Sequence, residues 1–573
     1  MKRGNLLVLF GRISLVLMLF SVALWYRPAW AASPAVLPPS IMPVVILKGS
    51  DYEMGYQYGQ QAGQYIEIYK DGEWAKAIRM VGSRDKVLHE LKGYQYYIKN
   101  YAPETIKEMK GITDGATAAG YKVSYIDVLL INSIFATSLR PSPTAIFPPG
   151  AKDDKMPPEG CSAWSAWGST TIDGRLICGK SSDTAFDYQV AIVAFPDVGN
   201  SFLGPTRAGC LTNTPMNNKG VFIGVNGGFA LRDIDYDYRI PYPCSSQHLI
   251  RFADSATKAK DMLLSWKKFP TANMLFSDIN GNHFVIEMTA ALQGVRKPRD
   301  FGETDFIYAT NNHFKDEMRP AIKGEKFIEY AGWIGSGVWS INSIPRNQQM
   351  WNMFHNYQGK VNLDFAKMMW RFPGNPPQGS LDAKAYIATK GKGWDTKICN
   401  LCSQNVIIAL PDNGDKGVMY ICTGPASRVA YPLFPGADWY QIAGTHTFYQ
   451  LALASSPDAV VRAAMDTARS YIAEAYQKLM ILKYTDTGYA ALNELYSKAN
   501  AEYYEGVNAY NKGSLTNGNK SLLLFAQAAT AFTRSQAHAK QVSNALVPPA
   551  TRPEDLGLKP YGGPWAKWAT GDY

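Results

Sequence analysis

The 573-residue chain has no block of lysine or arginine and no nucleic-acid motif, although its formal net charge is +10. A basic balance without a basic patch serves solubility and attraction to anionic surfaces, and it argues against a nucleic-acid binder. Beyond the first 31 residues there is no apolar run of membrane-spanning length, so no further transmembrane segment is expected. Cys399-Asn400-Leu401-Cys402 has neither a second Cys-x-x-Cys nor a histidine pair at ligand spacing, so a zinc site would lack its other half. No metal or organic cofactor is implied. Charged residues make up only 18% of the chain against 46% hydrophobic, which excludes disorder as the main state and allows a large core in several domains or one enlarged one.

What is present begins with a leader. Lys2, Arg3 and Arg12 precede the apolar run Ile13 to Trp25, and Ala29-Trp30-Ala31 follows as a small-x-small cleavage signature. Residues 1–31 are expected to be a signal peptide that is removed, leaving no membrane span; the run is short for an uncleaved anchor. The protein is expected to be exported, periplasmic or secreted. Lys2, Arg3, Arg12 and Arg27 leave with the leader, so the mature chain carries +6. Seven cysteines, at 161, 178, 210, 244, 399, 402 and 422, are an odd number for an exported chain, where thiols pair. Six can form up to three disulfides, and Cys161 is the one expected to be reserved for chemistry.

Residues 32–140 have helical patterning. Gly55, Gly59 and Gly63 recur every fourth residue, so one helix face is open to close approach by another element. Pro103 suits a first helical turn and precedes Ile106, Met109, Ile112 and Ala116 at helical spacing. Residues 141–160 are a Pro-rich, exposed connector. From Cys161 to about 450 the pattern turns to short apolar strands, with hairpin signals at Asp278-Ile279-Asn280-Gly281 and Asp412-Asn413-Gly414. One helix is expected over Ser245–Trp266, and residues 315–390, rich in Trp, Met and Pro, are expected to be irregular and to wrap the strands or cover a site. Residues 451–573 return to helices, with Ser456 as a cap and Pro457 at the first helical position, followed by stretches near 487–511 and 520–545 and a Pro, Gly and Trp rich tail. Strands interrupted by helices give an α+β layered domain.

The connector ends at Gly160-Cys161-Ser162-Ala163-Trp164. A cut before Cys161 would give that residue a free α-amine beside its thiol, a base and a nucleophile in one residue. Gly160 suits such a cut, because a residue without Cβ lets the backbone twist for thiol attack on its own carbonyl. By itself the dipeptide favours a plain buried cysteine.

The order of several segments resembles the acyl-coenzyme A:6-aminopenicillanate acyltransferase-like family, peptidase family C45, within the N-terminal-nucleophile (Ntn) hydrolases. The segments are Gly49 to Gly59, Lys110 to Gly115, Gly160-Cys161-Ser162, Gly174 to Asp183, Ala272-Asn273-Met274 through Asp278 and Gly281 to Glu287, and Thr310-Asn311-Asn312-His313-Phe314. The resemblance covers roughly residues 45–430. The resemblance implies a four-layer αββα sandwich with an N-terminal helical pro-region, cut at Gly160-Cys161 into associated α and β chains, with the helices beyond about 455 outside the family pattern. It places the nucleophile at Cys161, an aspartate at Asp183 and the oxyanion donor at Asn312, with Asn311 as the alternative. Lys180 and Ser181 stand where relatives often have Arg or Gln and then Asn, so the support of the nucleophile or the substrate contacts differ.

An α-amine titrates near 7.7 to 8.0 and a thiol near 8.5, so Cys161 serves itself as base and needs no histidine. Asp183 would orient the ammonium. Water resolves the thioester in a hydrolase and an amine in a transferase, and both endings stay open. The substrate is a small acylated amine, amino acid or peptide; 34 Tyr and 14 Trp suit an apolar acyl pocket or a plain core. Residue type alone also allows Asp183 to cap a turn, Asn226 to be an oxyanion donor or, preferably, a left-handed turn residue, Lys180 to meet a substrate carboxylate or lie on the surface, and His313 to pair with Cys161. Two rival classes remain: a binding or scaffold protein that kept the fold, and a thiol oxidoreductase using Cys399 and Cys402.

Overall fold

Strand alternation and helix caps account for the architecture of the chain, seen in a computed structural model that describes residues 41–134, 160–183, 188–228, 233–321, 340–372, 403–414, 416–424, 426, 447–482 and 488–559. The strands are β1 (Val44–Gly49), β2 (Gly160–Ala166), β3 (Ile177–Asp183), β4 (Gln189–Pro196), β5 (Phe202–Arg207), β6 (Met216–Asn217), β7 (Val221–Gly227), β8 (Ala272–Asp278), β9 (His283–Met288), β10 (Gln293–Arg296), β11 (Phe306–Ala309), β12 (Ser403–Leu410), β13 (Val418–Thr423) and β14 (Tyr449–Ala452). The helices are α1 (Asp51–Val81), α2 (Arg84–Tyr101), α3 (Pro103–Ala118), α4 (Tyr125–Ile134), α5 (Tyr242–Phe252), α6 (Ala256–Leu264), α7 (Ser340–Asn356), α8 (Leu363–Arg371), α9 (Pro457–Leu479), α10 (Tyr489–Ser514) and α11 (Gly518–Leu546).

Eight strands form one sheet in the order β1-β4-β5-β6-β7-β8-β9-β10, and six form a second in the order β11-β2-β3-β12-β13-β14. Only the β1–β4 pair is parallel among these ladders. Successive side chains leave a strand on opposite faces, and β4 shows what that does here. Its Val190, Ile192 and Ala194 pack with Tyr58, Leu91, Met109, Leu130, Leu249 and Leu263 of α1 to α6. Its Ala191 and Val193 join Ala163, Cys178, Ile307 and Ile407 of the other sheet. The far face of the second sheet carries Trp164, Ile177, Phe306 and Val406 against Met350 and Phe354 of α7 and Phe365 and Met369 of α8. Each sheet therefore has one face toward its partner sheet and one toward helices, and Ser277 Oγ donates to Ser165 Oγ between the sheets at 2.8 Å.

The glycine stripe of α1 finds its partner in α3. A Cβ on Gly55 would lie 2.0 Å from Glu108 O, and one on Gly115 would lie 1.9 Å from Tyr56 O, so the two backbones touch where side chains would otherwise stand. Ser50 and Glu53 close a capping box at the start of α1. Of the C-terminal helices, α11 is joined to the sheets directly: Thr530 Oγ1 accepts the Val44 N–H at 2.9 Å, Gln536 Oε1 accepts the Gln450 N–H at 2.8 Å, and Ala528, Ala529 and Phe532 share a core with Ile46, as do Val460 and Val461 of α9. Ser456 caps α9 as expected, accepting from the Ala459 N–H.

Both hairpin signals fall between paired strands, with Gly281 at φ +86° and Gly414 at φ +76°. Three expectations change. The single helix over Ser245–Trp266 is two helices, because the chain turns extended at Ala253 and Ser255 starts α6 as its cap. The irregular stretch 315–390 contains α7 and α8; Pro345 lies in the second turn of α7 and hid it from a pattern-based reading. The six-cysteine disulfide set does not form among the described residues, where Cys161, Cys178, Cys210, Cys244 and Cys422 are all free. Cys399 and Cys402, residues 1–31 and the connector before Gly160 lie outside the described residues. Among the described residues no helix is long and apolar enough to cross a membrane.

Candidate active site

One end of the second sheet gathers most of the residues singled out from the sequence. β2 and β3 run antiparallel with Gly160 opposite Asp183 and Cys161 opposite Ser182. β11 flanks β2 on its other side, with Ala309 opposite Ala163, so the residues after Ala309 continue alongside Cys161. Asn311 uses that placement. Its Oδ1 accepts the Cys161 N–H at 3.0 Å, and its Nδ2 donates to Gly227 O at the end of β7 at 2.8 Å. In the uncut chain the Cys161 nitrogen is an amide, and it occupies the place that the α-amine would take after a cut.

A residue not anticipated from sequence completes the contact. Arg346 on α7 donates through Nη1 to Cys161 O and to Ser162 Oγ, each at 2.6 Å, and through Nη2 to Asn311 Oδ1 at 3.0 Å. Ser343 and Asn347, three residues before and one after it, bind the same segment: Ser343 Oγ accepts the Asn311 N–H at 3.1 Å, and Asn347 Nδ2 donates to Thr310 Oγ1 at 2.6 Å. The face of α7 that meets the strand end is polar because it serves hydrogen bonds. Arg346 is only 1% exposed. Burial lowers its tendency to hold a proton, while the neighbouring Asp183 and Cys161 raise it.

Asp183 is fully buried. Its Oδ1 accepts from Ser403 Oγ at 2.7 Å and its Oδ2 from Ser181 Oγ at 3.1 Å. Burial pushes its carboxyl above the usual range, against the pull of the Arg346 guanidinium, the Ser403 hydroxyl, Lys180 and the Ser181 hydroxyl. Lys180 is no surface residue. It is 1% exposed and donates from Nζ to Ser181 O and Ser182 Oγ.

Alternation assigns these groups to faces. Ala163 belongs to the core between the sheets and Trp164 to the core under α7 and α8. Cys161, two residues from Ala163, therefore shares the inter-sheet side. Asn226 reaches the same place from the other sheet, since Phe222 lies in the inter-sheet core and a Cβ on Gly224 would lie 3.0 Å from Ala163 Cβ. Two residues onward along β7 and two back along β2 lead to Asn226 and Cys161, and Asn311 links this end of the two strands by its bonds to the Cys161 N–H and Gly227 O. Asn226 is fully buried in β7, so the left-handed-turn reading is corrected: its backbone is part of the β7–β8 ladder. Its Nδ2 donates to Ala309 O at 3.2 Å, and its Oδ1 has no hydrogen-bond partner among the described residues.

Asn312 is half-buried and contributes differently from its neighbour. Its main-chain oxygen accepts from Asn273 Nδ2 at 2.7 Å, and its side-chain Oδ1 is buried without a partner among the described residues. Asn311, the alternative, is the one whose side chain lies on Cys161. His313 shares a 2.7 Å hydrogen bond between Nδ1 and Asn273 Oδ1, which ties its ring to β8 and gives no support to a Cys161–His313 pair. Cys161 is half-buried, whereas Cys178, Cys210, Cys244 and Cys422 are buried. Burial pushes the thiols of Cys178 and Cys244 well up, and that of Cys210 up to about 12, which leaves those three inert as nucleophiles. Among the described residues no three His, Cys, Asp or Glu side chains gather to hold a metal ion.

Comparison with known proteins gives no matching family model. An uncharacterized protein of Archaeoglobus fulgidus is 28% identical over 236 residues, 39% of this chain and 39% of that relative, so the match spans well under half of either. Similar solved structures include a Caenorhabditis elegans N-acylethanolamine-hydrolyzing acid amidase ortholog, with 12% identity over 49% of this chain and 97% of that one and a TM-score of 0.27. A mutant conjugated bile acid hydrolase from Clostridium perfringens has 14% identity over 46% and 89%, with a TM-score of 0.24. Penicillin V acylase from Agrobacterium tumefaciens has 12% identity over 46% and 83%, also with a TM-score of 0.24.

Proposed function

We propose that the chain is an exported Ntn amide hydrolase or acyltransferase with an αββα sandwich, activated by a cut between Gly160 and Cys161. The observation that carries this is the Cys161 nitrogen held by Asn311 Oδ1 at 3.0 Å, with the same oxygen taking Arg346 Nη2. A plain core cysteine has no need of a buried arginine and a buried asparagine at its own main chain; a cysteine whose nitrogen is the base does.

In the cut protein the Cys161 thiol gives its proton to its own amine, and the sulfur attacks the carbonyl carbon of a small N-acyl amide. The oxyanion is assigned to a side-chain amide near this strand end, Asn312 or Asn226, whose Nδ2 has a second N–H beyond the one on Ala309 O. The C–N bond breaks as the ammonium of Cys161 returns its proton to the leaving amine, and water or an acceptor amine then releases the acyl group from sulfur. Asn311 holds the ammonium form, Asp183 lends negative charge from across the β2–β3 ladder, and the buried charges of Arg346 and Lys180 offset the negative charge that develops on sulfur and oxygen. The α and β chains stay together after the cut, because β1 is hydrogen-bonded along β4 and α1 to α4 share the core of the first sheet.

Purified protein is incubated with a panel of N-acyl amines, amino acids and peptides, and the acyl adduct is located by peptide mass. An acyl group on Cys161 in the wild type, with turnover lost in Cys161→Ala, is the expected result. Turnover that survives Cys161→Ala overturns the assignment, and no adduct with any acyl amide moves the chain to a binding role.

A further inference from the structure

Three buried polar side chains stand side by side across the first sheet, where Asn226 of β7 is opposite Asn273 of β8 and Asn273 is opposite Glu287 of β9. All three are fully buried, and an inter-sheet core with three adjacent polar groups costs stability unless they are satisfied. What they satisfy is one segment. Asn226 Nδ2 donates to Ala309 O at 3.2 Å; Asn273 Nδ2 donates to Thr310 O at 3.0 Å and Asn312 O at 2.7 Å, while its Oδ1 meets His313 Nδ1 at 2.7 Å. Glu287 Oε2 accepts the main-chain N–H groups of Phe314 at 2.6 Å and Lys315 at 2.9 Å. Arg296 pairs with Glu287 Oε1 at 3.5 Å from behind. A row of side chains on one sheet thus fixes, residue after residue, the main chain that leaves β11 and carries Asn311 to the Cys161 nitrogen on the other sheet.

Given the Cys161 nucleophile proposed above, on which this rests, we infer that Asn273 and Glu287 are positioning residues that hold the 309–315 segment so that the Asn311 side chain stays on the Cys161 nitrogen. Neither touches Cys161. Asn273 contributes most, because only an amide offers two donors to two carbonyl oxygens and an acceptor to the histidine at once. An error of about 1 Å in that segment breaks the Asn311 contact, and misplacement of that size costs about a hundredfold in a catalytic site.

The test reads Cys161 itself and needs no substrate. The rate of alkylation at Cys161 by iodoacetamide is followed by peptide mass over a pH series in wild type, Asn273→Asp, Asn311→Ala and the double variant, each held below its melting temperature. Asn273→Asp keeps the volume and the acceptor and replaces Nδ2, with its two donor hydrogens, by one oxygen that repels both carbonyls. The expected result is slower alkylation in Asn273→Asp, about tenfold at neutral pH, with the pH profile displaced in the same direction as in Asn311→Ala and no further loss in the double variant. Wild-type alkylation in Asn273→Asp, or a double variant slower by the product of the two single losses, overturns the inference. Should Asn273→Asp fail to fold, Glu287→Ala with Glu287→Gln as the conservative rescue gives the same comparison from the next strand. A protein with no amide turnover still returns an answer, so failure of the catalytic assignment and failure of the positioning role are separate outcomes.

Discussion

Helix α1 and helix α7 both bind the rest of the molecule tightly, and they do so by opposite means. At Gly55, Gly59, Gly111 and Gly115, α1 meets α3 backbone to backbone, with no side chain between them at those positions. α7 meets the strand end through hydrogen bonds from Ser343, Arg346 and Asn347. The first contact is short-range chemistry repeated every four residues and serves stability. The second is assembled from single residues far apart in the chain and serves the site. Substitutions in the two helices should therefore separate: one set lowers stability at constant activity, the other lowers activity at near-constant stability.

The largest separation is expected at Arg346. Arg346→Ala leaves Asn311 Oδ1 and Cys161 O without their shared donor, and amide turnover falls by about a hundredfold or more. Arg346→Lys recovers little, because an ammonium cannot reproduce the forked geometry that bridges Cys161 O, Ser162 Oγ and Asn311 Oδ1. Steady-state rates beside a thermal melt check this, and wild-type turnover in Arg346→Ala would erase the distinction between the two helices. On the other side, Gly115→Ala forces a methyl group into the Tyr56 carbonyl and costs about 3 kcal/mol by overpacking. A denaturant midpoint shifted downward with unchanged turnover per folded molecule is expected.

The α1–α3 contact also carries a proton. Glu108, whose carbonyl lies against Gly55, is fully buried, and burial raises its carboxyl to about 8, with Asp51 and Glu104 adding to the rise and Arg251 and Gln247 opposing it. A folded-state value above the ordinary 4.5 means that the folded form keeps the proton that the unfolded form releases. This contribution is full below pH 4.5, declines as pH rises, and is gone above about 8. Glu108→Gln should flatten the fall of melting temperature between pH 5 and 8, and an unchanged slope would place the pH dependence elsewhere. The smallest effect belongs to neither helix: Gly281→Ala in the β8–β9 turn, at φ +86°, costs about 1 kcal/mol, read as a small melting shift with unaltered activity.

What was legible in the sequence follows the same division. The α1 glycines, the caps at Ser456 and Pro457, and the Asn-Gly hairpins are local signals, and each element lies where they placed it. Cys161, Asp183 and Asn311 lie at one strand end; segment order put Asn312 first there and Asn311 as its alternative, and spacing alone gives neither. Asn226 looked like a turn residue because Gly227 and Gly228 follow it, and only strand pairing shows it buried within β7, opposite Asn273. Arg346 was hidden by Pro345 in a stretch without clean periodicity, and nothing local marks an arginine whose partners lie 185 and 35 residues away. The broken helix at Ala253 and the unpaired cysteines were misread because sequence carries helix pattern and cysteine count but neither chain direction nor thiol separation.

The most direct measurement is intact mass with N-terminal sequencing of purified wild type beside Cys161→Ala. Two chains in the wild type, the larger beginning at Cys161, and one uncut chain in Cys161→Ala are expected if the residue held by Asn311 and Arg346 makes its own N-terminus. A single uncut chain in both proteins would contradict the account, since the Cys161 nitrogen would remain an amide, too weak a base to take the proton of its thiol.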